Sequence, residues 1–409
     1  MKYVILGAGP AGVIAAETLA KTDPEGHVTL VGGEAGAPYS RMAIPYVLTG
    51  KIKADGTRLR KTDGHYENLG IEYINGRAQS VDADTGTVTL DDGHKLGFDK
   101  LLVATGAQPI KPPVPGLDLD GVHHCWTLED TAAIAARAKK GANVVLMGAG
   151  FIGCIILESL VERGVNLTVI EAEDRMISKM MDAAGGQILA DWIKAKGVTL
   201  MASTKVTAVA EDGKGLKVST DRGGDVSADL VVVATGVKPN ADFLQGSGVT
   251  VEDGIVVNDH LQSSVADIYA AGDVAKGPDF GGGMMVHAIQ PTSADHGRIA
   301  ALNMAGQDAR YSGSLIMNVL DTLGLISASF GHWQGGDDTA EKLDAATHRY
   351  TKLAFDGDVL VGALSIGRTD HIGVLRGLIQ SRIKLGPWKA KLKANPNLIA
   401  DAYVARTRV

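Results

Sequence analysis

Only two cysteines occur among these 409 residues, Cys125 and Cys154, in different sequence contexts and without CxxC spacing. That scarcity leaves no disulfide framework, no thiolate zinc site and no cluster motif, and it suits a reducing cytoplasm. Aromatic residues are also few, at 5% of the chain. No apolar run approaches the roughly 18–20 residues of a membrane span. Positive charge is in deficit: 40 Lys and Arg stand against 47 Asp and Glu, a net charge of −7, which argues against nucleic acid as the general partner. A strand pattern starts at Lys2, so no signal or transit peptide is expected and the protein reads as soluble and cytoplasmic.

Glycine is what the chain has in quantity, 52 residues of it, beside a hydrophobic fraction of 45%. Such a composition suits an α/β protein with many tight strand-to-helix turns, and the length allows two or three packed domains. Tyr3-Val-Ile-Leu6 reads as a buried strand, followed by the turn Gly7-Ala-Gly9-Pro10-Ala11-Gly12, a helix and a second strand, Val28–Val31. The same order recurs as Val144–Met147, Gly148-Ala-Gly150-Phe151-Ile152-Gly153, a helix and Leu167–Ile170. Each unit is followed by β hairpins and then by an apolar strand running into Ala-Thr-Gly: Ala104-Thr105-Gly106 and Ala234-Thr235-Gly236. One GxGxxG is a weak sign, since a tight turn arises by chance. Two in strand–turn–helix context describe a duplicated nucleotide-binding architecture. Glycine there lets the backbone approach a pyrophosphate, whose charge sits at the helix N-terminus.

Ser264 to Val274 adds a third motif, Ile-Tyr-Ala-Ala-Gly272-Asp273-Val. In this order the motifs resemble the FAD-dependent pyridine nucleotide-disulfide oxidoreductase superfamily, over residues 1–308. The resemblance implies two Rossmann-like domains, an NAD domain (113–239) inserted in a split FAD domain (1–112 and 240–308), with a C-terminal α+β interface domain (309–409). It implies that Gly7, Gly9, Pro10, Ala11 and Gly12 bind the FAD pyrophosphate and that Asp273, after Gly272, binds the ribityl chain. Ala78, Ala104, Thr105 and Gly106 complete that expected site. For NAD(H) it implies Gly148, Gly150, Phe151, Ile152, Gly153, Ala234, Thr235 and Gly236. Glu171 ends the strand about twenty residues after the last of these glycines, where a carboxylate accepts ribose hydroxyls and repels a 2′-phosphate, so NADH is the expected coenzyme. At the first site Gly33 stands where an acidic residue is usual, with Glu34 next along as the candidate ribose ligand.

Two features of that superfamily are missing. The stretch Pro38-Tyr-Ser-Arg41-Met-Ala-Ile-Pro-Tyr46 carries no redox cysteine, so thiol-based disulfide or peroxide reduction is not expected. It resembles instead the thiol-free branch: NADH-dependent ferredoxin and rubredoxin reductases and the flavin part of nitrite reductase. Many of these pair a lysine with a glutamate near the flavin; Tyr46 and Ile155 occupy those places, so both halves of the ion pair are absent. Arg41 is expected to face a phosphate. Pro291 reads as the first residue of a helix whose positive end favours a reduced flavin, with Ile289 and Gln290 at its start. Tyr46, His287 and Gln290 are candidates for tuning the ring, with no catalytic side chain expected, though His287 reads equally well as a packed core histidine.

From about residue 309 the pattern changes to β hairpins, one around Asp356-Gly357, and a final helical region. Residues 376–409 hold Arg376, Arg382, Lys384, Lys389, Lys391, Lys393, Arg406 and Arg408 against the single acid Asp401. Such a segment could dock an acidic iron–sulfur protein with Trp388 as an anchor, or be a solvated helix face and loose terminus. The reading is an NADH:acceptor flavoprotein reductase, either free-standing or the flavin subunit of a larger complex of the kind that accompanies tungsten aldehyde oxidoreductase and carbon monoxide dehydrogenase. A homo-oligomer is equally compatible. Rival readings are a small-molecule (quinone or oxygen) NADH reductase and a non-enzymatic FAD/NADH-binding interaction protein.

Overall fold

Val4, Ile5 and Leu6 form an unbroken apolar run because their strand is covered on both faces, each side chain being at most 2% exposed. The strand lies in a computed structural model that describes residues 1–368 and 370–407. The chain divides into two compact units.

The first unit comprises residues 1–43, 53–108 and 237–314. Its centre is a five-stranded parallel sheet in the order Ile268–Ala270, Lys100–Val103, Lys2–Leu6, His27–Gly32, Ile71–Asn75. Two helices, Pro10–Thr22 and Gln290–Met304, pack closely on each other. A Cβ on Gly297 would stand 2.2 Å from the Ala11 carbonyl oxygen, so only glycine permits that approach. The helix expected to start at Pro291 starts one residue earlier, at Gln290, with the proline inside the first turn, where its missing N–H costs nothing.

The second unit comprises residues 44–52, 109–236 and 315–409. It repeats the parallel sheet, in the order Thr199–Met201, Asn166–Ile170, Asn143–Met147, Leu230–Val233, Val122–His124. The repeat extends to the accessory layer. Antiparallel strands Ala78–Asp82, Thr87–Leu90 and Lys95–Gly97 in the first unit correspond to Val206–Asp212, Gly215–Thr220 and Asp225–Ala228 in the second. The fold is α/β with two Rossmann-like sheets.

Residues beyond 315 form an antiparallel sheet in the order Met317–Thr322, Leu325–Gly331, Val359–Ile366, Arg349–Asp356, Asp338–Asp344, followed by helices Ile372–Ser381, Pro387–Ala394 and Ile399–Thr407. The hairpin at Asp356-Gly357 lies where turn chemistry places it. Asp182, the N-cap of helix Ala183–Ala195, accepts from the Tyr350 hydroxyl at 2.7 Å and from Lys352 at 3.2 Å, which fastens this sheet to the helix. Among the described residues no helix is long and apolar enough to cross a membrane.

Candidate functional site

At the end of strand Lys2–Leu6 the chain must turn sharply into a helix, and three glycines make that possible in three different ways. Gly7 has φ +110°, and a Cβ there would lie 2.2 Å from the Ala104 carbonyl oxygen. A Cβ on Gly12 would lie 1.8 Å from the Gly7 carbonyl oxygen. Gly9 has nothing within 4 Å of its Cβ position. The first and third glycines close the turn; the middle one faces open space. Gly9 is also the N-cap of helix Pro10–Thr22 and supplies no side-chain cap, leaving the N–H groups of Ala11 and Gly12 without a side-chain acceptor.

The second turn repeats this geometry. Gly148 has φ +104° and a Cβ-to-Ala234-oxygen distance of 2.5 Å; Gly153 would meet the Gly148 oxygen at 2.3 Å; Gly150 faces nothing within 4 Å. Gly150 caps helix Phe151–Glu162, again without a side-chain bond, so Phe151, Ile152 and Gly153 form an uncapped first turn. Gly7 donates to Val31 and Gly148 to Ile170, both at 2.8 Å. Ala104 donates to Leu6 at 2.7 Å and Ala234 to Met147 at 2.8 Å. Thr105 donates to Asn240, next to Gly106, at 2.6 Å, and Thr235, before Gly236, to Ile110 at 3.2 Å. Two open cradles of main-chain N–H at helix N-termini are what two pyrophosphates require, so the residues present fit two dinucleotides.

Around the first turn, Gly272 takes φ +77° and donates its N–H to His296 Nδ1 at 3.3 Å. That places Asp273, whose carboxylate accepts from the Ser293 hydroxyl at 3.2 Å. Burial holds this carboxyl above its usual range, and the Arg41 guanidinium pulls the other way. Ile289 caps helix Gln290–Met304, and Gln290 Oε1 accepts from the Ser40 hydroxyl at 2.9 Å. His287 is buried, with Nε2 3.3 Å from the Asp279 carboxylate. Ala78 opens its strand, half-buried. Tyr46 lies in the second unit and is 54% exposed.

The Glu34 carboxylate is already engaged: it pairs with the Arg41 guanidinium and accepts from the Tyr39 hydroxyl at 2.6 Å. Nothing in local spacing reveals that pairing, or the neighbour of Gly33, which is Arg77. Around the second turn the Glu171 carboxylate is buried, accepting from Ala149 N–H at 2.5 Å and Glu173 N–H at 2.8 Å. Arg175, the one cation of that acidic turn, bonds Asp174 at 2.7 Å and the Met181 carbonyl at 3.2 Å. It is therefore not poised to receive a 2′-phosphate. Cys125 and Cys154 are both buried, and burial pushes both thiols up to about 12, away from any thiolate role.

Residues 1–305 match the family model described as pyridine nucleotide-disulphide oxidoreductase. The chain is 31% identical to the NADH-dependent phenylglyoxylate dehydrogenase subunit epsilon of Aromatoleum evansii, over 99% of this chain and 98% of that one. It is 32% identical to the rhodocoxin reductase of Rhodococcus erythropolis, over 95% and 92% of the two chains. Among solved structures, the reductase of a covalent putidaredoxin reductase–putidaredoxin complex superposes with a TM-score of 0.91, covering 100% of this chain and 99% of that one at 23% identity, a likeness of fold. With three quarters of its length matched and relatives shared from end to end, the chain belongs to the pyridine nucleotide-disulphide oxidoreductase family.

Proposed function

We propose that this protein is an NADH-dependent flavoprotein reductase that exchanges electrons with an iron–sulfur protein or subunit. The observation that supports it most is the pair of open cradles at Gly9 and Gly150, one in each unit. In this reading residues 1–112 and 240–308 hold FAD, residues 113–239 hold NAD(H), and residues 309–409 form the interface domain. Gly7, Gly9 and Gly12 receive the FAD pyrophosphate on main-chain N–H groups, and Asp273 accepts from the ribityl hydroxyls. Gly148, Gly150 and Gly153 receive the NAD(H) pyrophosphate, and Glu171 orients the adenosine ribose while its charge rejects a phosphorylated one. Bound FAD supplies the conversion between a two-electron hydride and the one-electron steps of an iron–sulfur centre. Relatives named as a ferredoxin–NAD(+) reductase component and as an NADH-rubredoxin oxidoreductase support an iron–sulfur acceptor.

A role as the flavin subunit of a larger complex is favoured by a specific observation, the end-to-end match to a dehydrogenase subunit. The carrier-docking role of the C-terminal segment narrows to fewer residues. Lys393 and Lys389 pair with Asp338 at 2.7 and 3.4 Å, and Lys389 also donates to the Gly357 carbonyl. Those two lysines tie helix Pro387–Ala394 to the sheet. Lys384, and Lys391 over the Trp388 ring at 4.0 Å, remain to face an acidic partner; Arg408 lies outside the described residues.

The test is anaerobic titration of the purified protein with NADH, followed by addition of an oxidised iron–sulfur carrier. Bleaching of the flavin band by about one equivalent of NADH, and its return with the carrier, is the expected outcome. A flavin that NADH does not bleach overturns the reductase reading. Rapid turnover with quinone or oxygen alone, and none with the carrier, replaces it with a small-molecule reductase.

A further inference from the structure

Where the second strand of the first sheet ends, a carboxylate usually reads the ribose of an adenine dinucleotide, and a basic residue there reads a ribose phosphate instead. The two sheets of this protein differ at that point. In the second, Glu171 stands in place, buried and bonded to the turn. In the first, strand His27–Gly32 ends beside Gly33, which has no side chain to offer.

Arg77 fills the space. A Cβ on Gly33 would lie 3.2 Å from Arg77 Cγ, 3.7 Å from Nε and 3.8 Å from Cζ, so the arginine side chain passes beside the spot where a ribose-reading side chain would begin. The Arg77 main chain is pinned by its N–H to Asp91 at 3.0 Å, while the side chain is exposed and, among the described residues, no hydrogen bond or ion pair engages its guanidinium. Asp91 is engaged by the Arg77 main chain, and the Glu34 carboxylate is held by Arg41 and Tyr39, while its main-chain carbonyl accepts from Asn75 at 2.6 Å. The carboxylate is spent on Arg41. The arginine is not spent.

We propose that Arg77, and not an acidic residue, reads the ribose of the dinucleotide in the first turn, so that this site gains affinity from a phosphate on that ribose while the second site loses it. The inference rests on the reading of the first turn as the FAD site. Guanidinium donors serve ribose hydroxyls and phosphate oxygens alike, and bind the latter with charge-assisted bonds. The ribose ends of the duplicated turns thus carry opposite signs, Arg77 at one and Glu171 at the other. A phosphorylated adenosine becomes a probe that distinguishes the two.

The full chain, freed of flavin and refilled with FAD, is challenged with adenosine 2′,5′-bisphosphate and with adenosine 5′-monophosphate, and FAD release is followed by its fluorescence. The bisphosphate should displace FAD about tenfold more effectively than the monophosphate, in keeping with one added charge-assisted contact. Arg77→Ala should abolish that advantage, Arg77→Lys should keep part of it, and Gly33→Asp, which sets a carboxylate against Arg77, should reverse it. Because Arg77 is exposed, both of its variants should fold, and Gly33→Asp meets only the movable Arg77 side chain. Equal displacement by the two nucleotides, or an advantage that survives Arg77→Ala, overturns this inference and leaves the FAD assignment standing. A wild-type chain that takes up no FAD overturns the reading of the first turn and this inference with it.

Discussion

Ala149 is gripped through both of its peptide groups: Glu171 accepts its N–H, and the Ile177 N–H donates to its carbonyl at 2.9 Å. Ile177 does so at φ +42°, a conformation a β-branched residue adopts only when its surroundings impose it. The carboxylate of Glu171 thus holds the turn, and in the proposed reading it also selects the coenzyme, which a Gln tests. Its amide oxygen can still accept from Ala149, but the charge is gone. NADH should be preferred over NADPH by at least about tenfold in kcat/KM, roughly 1.4 kcal/mol. Glu171→Gln should narrow that ratio, with some loss of thermal stability because the amide nitrogen replaces the acceptor of the Glu173 N–H. An unchanged ratio removes Glu171 from the discrimination. The buried cysteines give a second residue-scale prediction: Cys125→Ser with Cys154→Ala should leave NADH-dependent flavin reduction within about tenfold of wild type, since neither thiol ionises near neutral pH. A loss beyond about 100-fold, with FAD content intact, would reveal a thiolate step. His296 gives the third. Its ring is fully buried and meets Tyr311 edge-on, and burial, reinforced by His287, pulls its pKa down to about 4. The unfolded chain takes up that proton near 6.5, before the folded one does, so its stabilising contribution is complete above about pH 6.5 and lost progressively towards pH 4, by about 3 kcal/mol. Urea midpoints at pH 7 and 4.5 should differ less in His296→Gln than in wild type.

Elements show most clearly what a sequence reveals and what it withholds. Both Gly-rich turns, their strands and the Asp356-Gly357 hairpin were legible because each is set by neighbours within a few residues: apolar runs, positive-φ glycines, a helix directly after. Helix Gln290–Met304 was legible to one residue, for Pro291 is tolerated at either of the first two positions. What could not be read are pairings made through the fold. Glu34 was a ribose candidate by adjacency to Gly33, yet Arg41 holds it, and Arg77 reaches Gly33 from a different strand connection. Lys389 and Lys393 read as surface charge, although Asp338, some fifty residues earlier, claims both. The close approach of Gly297 to Ala11 was equally silent, because a glycine inside a helix carries no pattern of its own. It makes a sharp prediction. Gly297→Ala forces a Cβ into a main-chain oxygen and should cost about 1–3 kcal/mol by separating the helices, with FAD lost from the purified protein. Gly373→Ala, in helix Ile372–Ser381 with nothing within 4 Å, should be neutral or stabilising by about 0.4–1 kcal/mol. Equal Tm shifts in the two variants would show that helix propensity, not close approach, governs both sites.

Across the whole molecule, charge is divided between holding the chain together and meeting others. Reversing Lys384 and Lys391 should slow reduction of an acidic carrier and flatten its dependence on ionic strength, since exposed charges are screened over about 10 Å at 0.1 M salt, while NADH-to-ferricyanide turnover stays near wild type. Reversing Lys389 and Lys393 should instead lower thermal stability, because Asp338 is left facing two acids. A carrier rate that is unmoved by the first pair places docking elsewhere. The first unit has one more property, which concerns synthesis. Its strand Lys100–Val103 is covered on one side only by the edge strand Ile268–Ala270, and the flanking Lys100–Asp267 ion pair spans 167 residues. On a ribosome adding about 5–20 residues per second, the strand waits roughly 10–30 s for its partner. Throughout that time Leu101, Leu102 and Val103, all fully buried in the finished protein, lie on an open sheet edge able to pair with another nascent chain. The inserted nucleotide unit can meanwhile close its own parallel sheet. Yield should therefore respond to chaperone supply and to translation speed between residues 104 and 270 more than to any equivalent stretch near the C-terminus, and a message broken off inside that window should give an aggregate, not a half-active reductase.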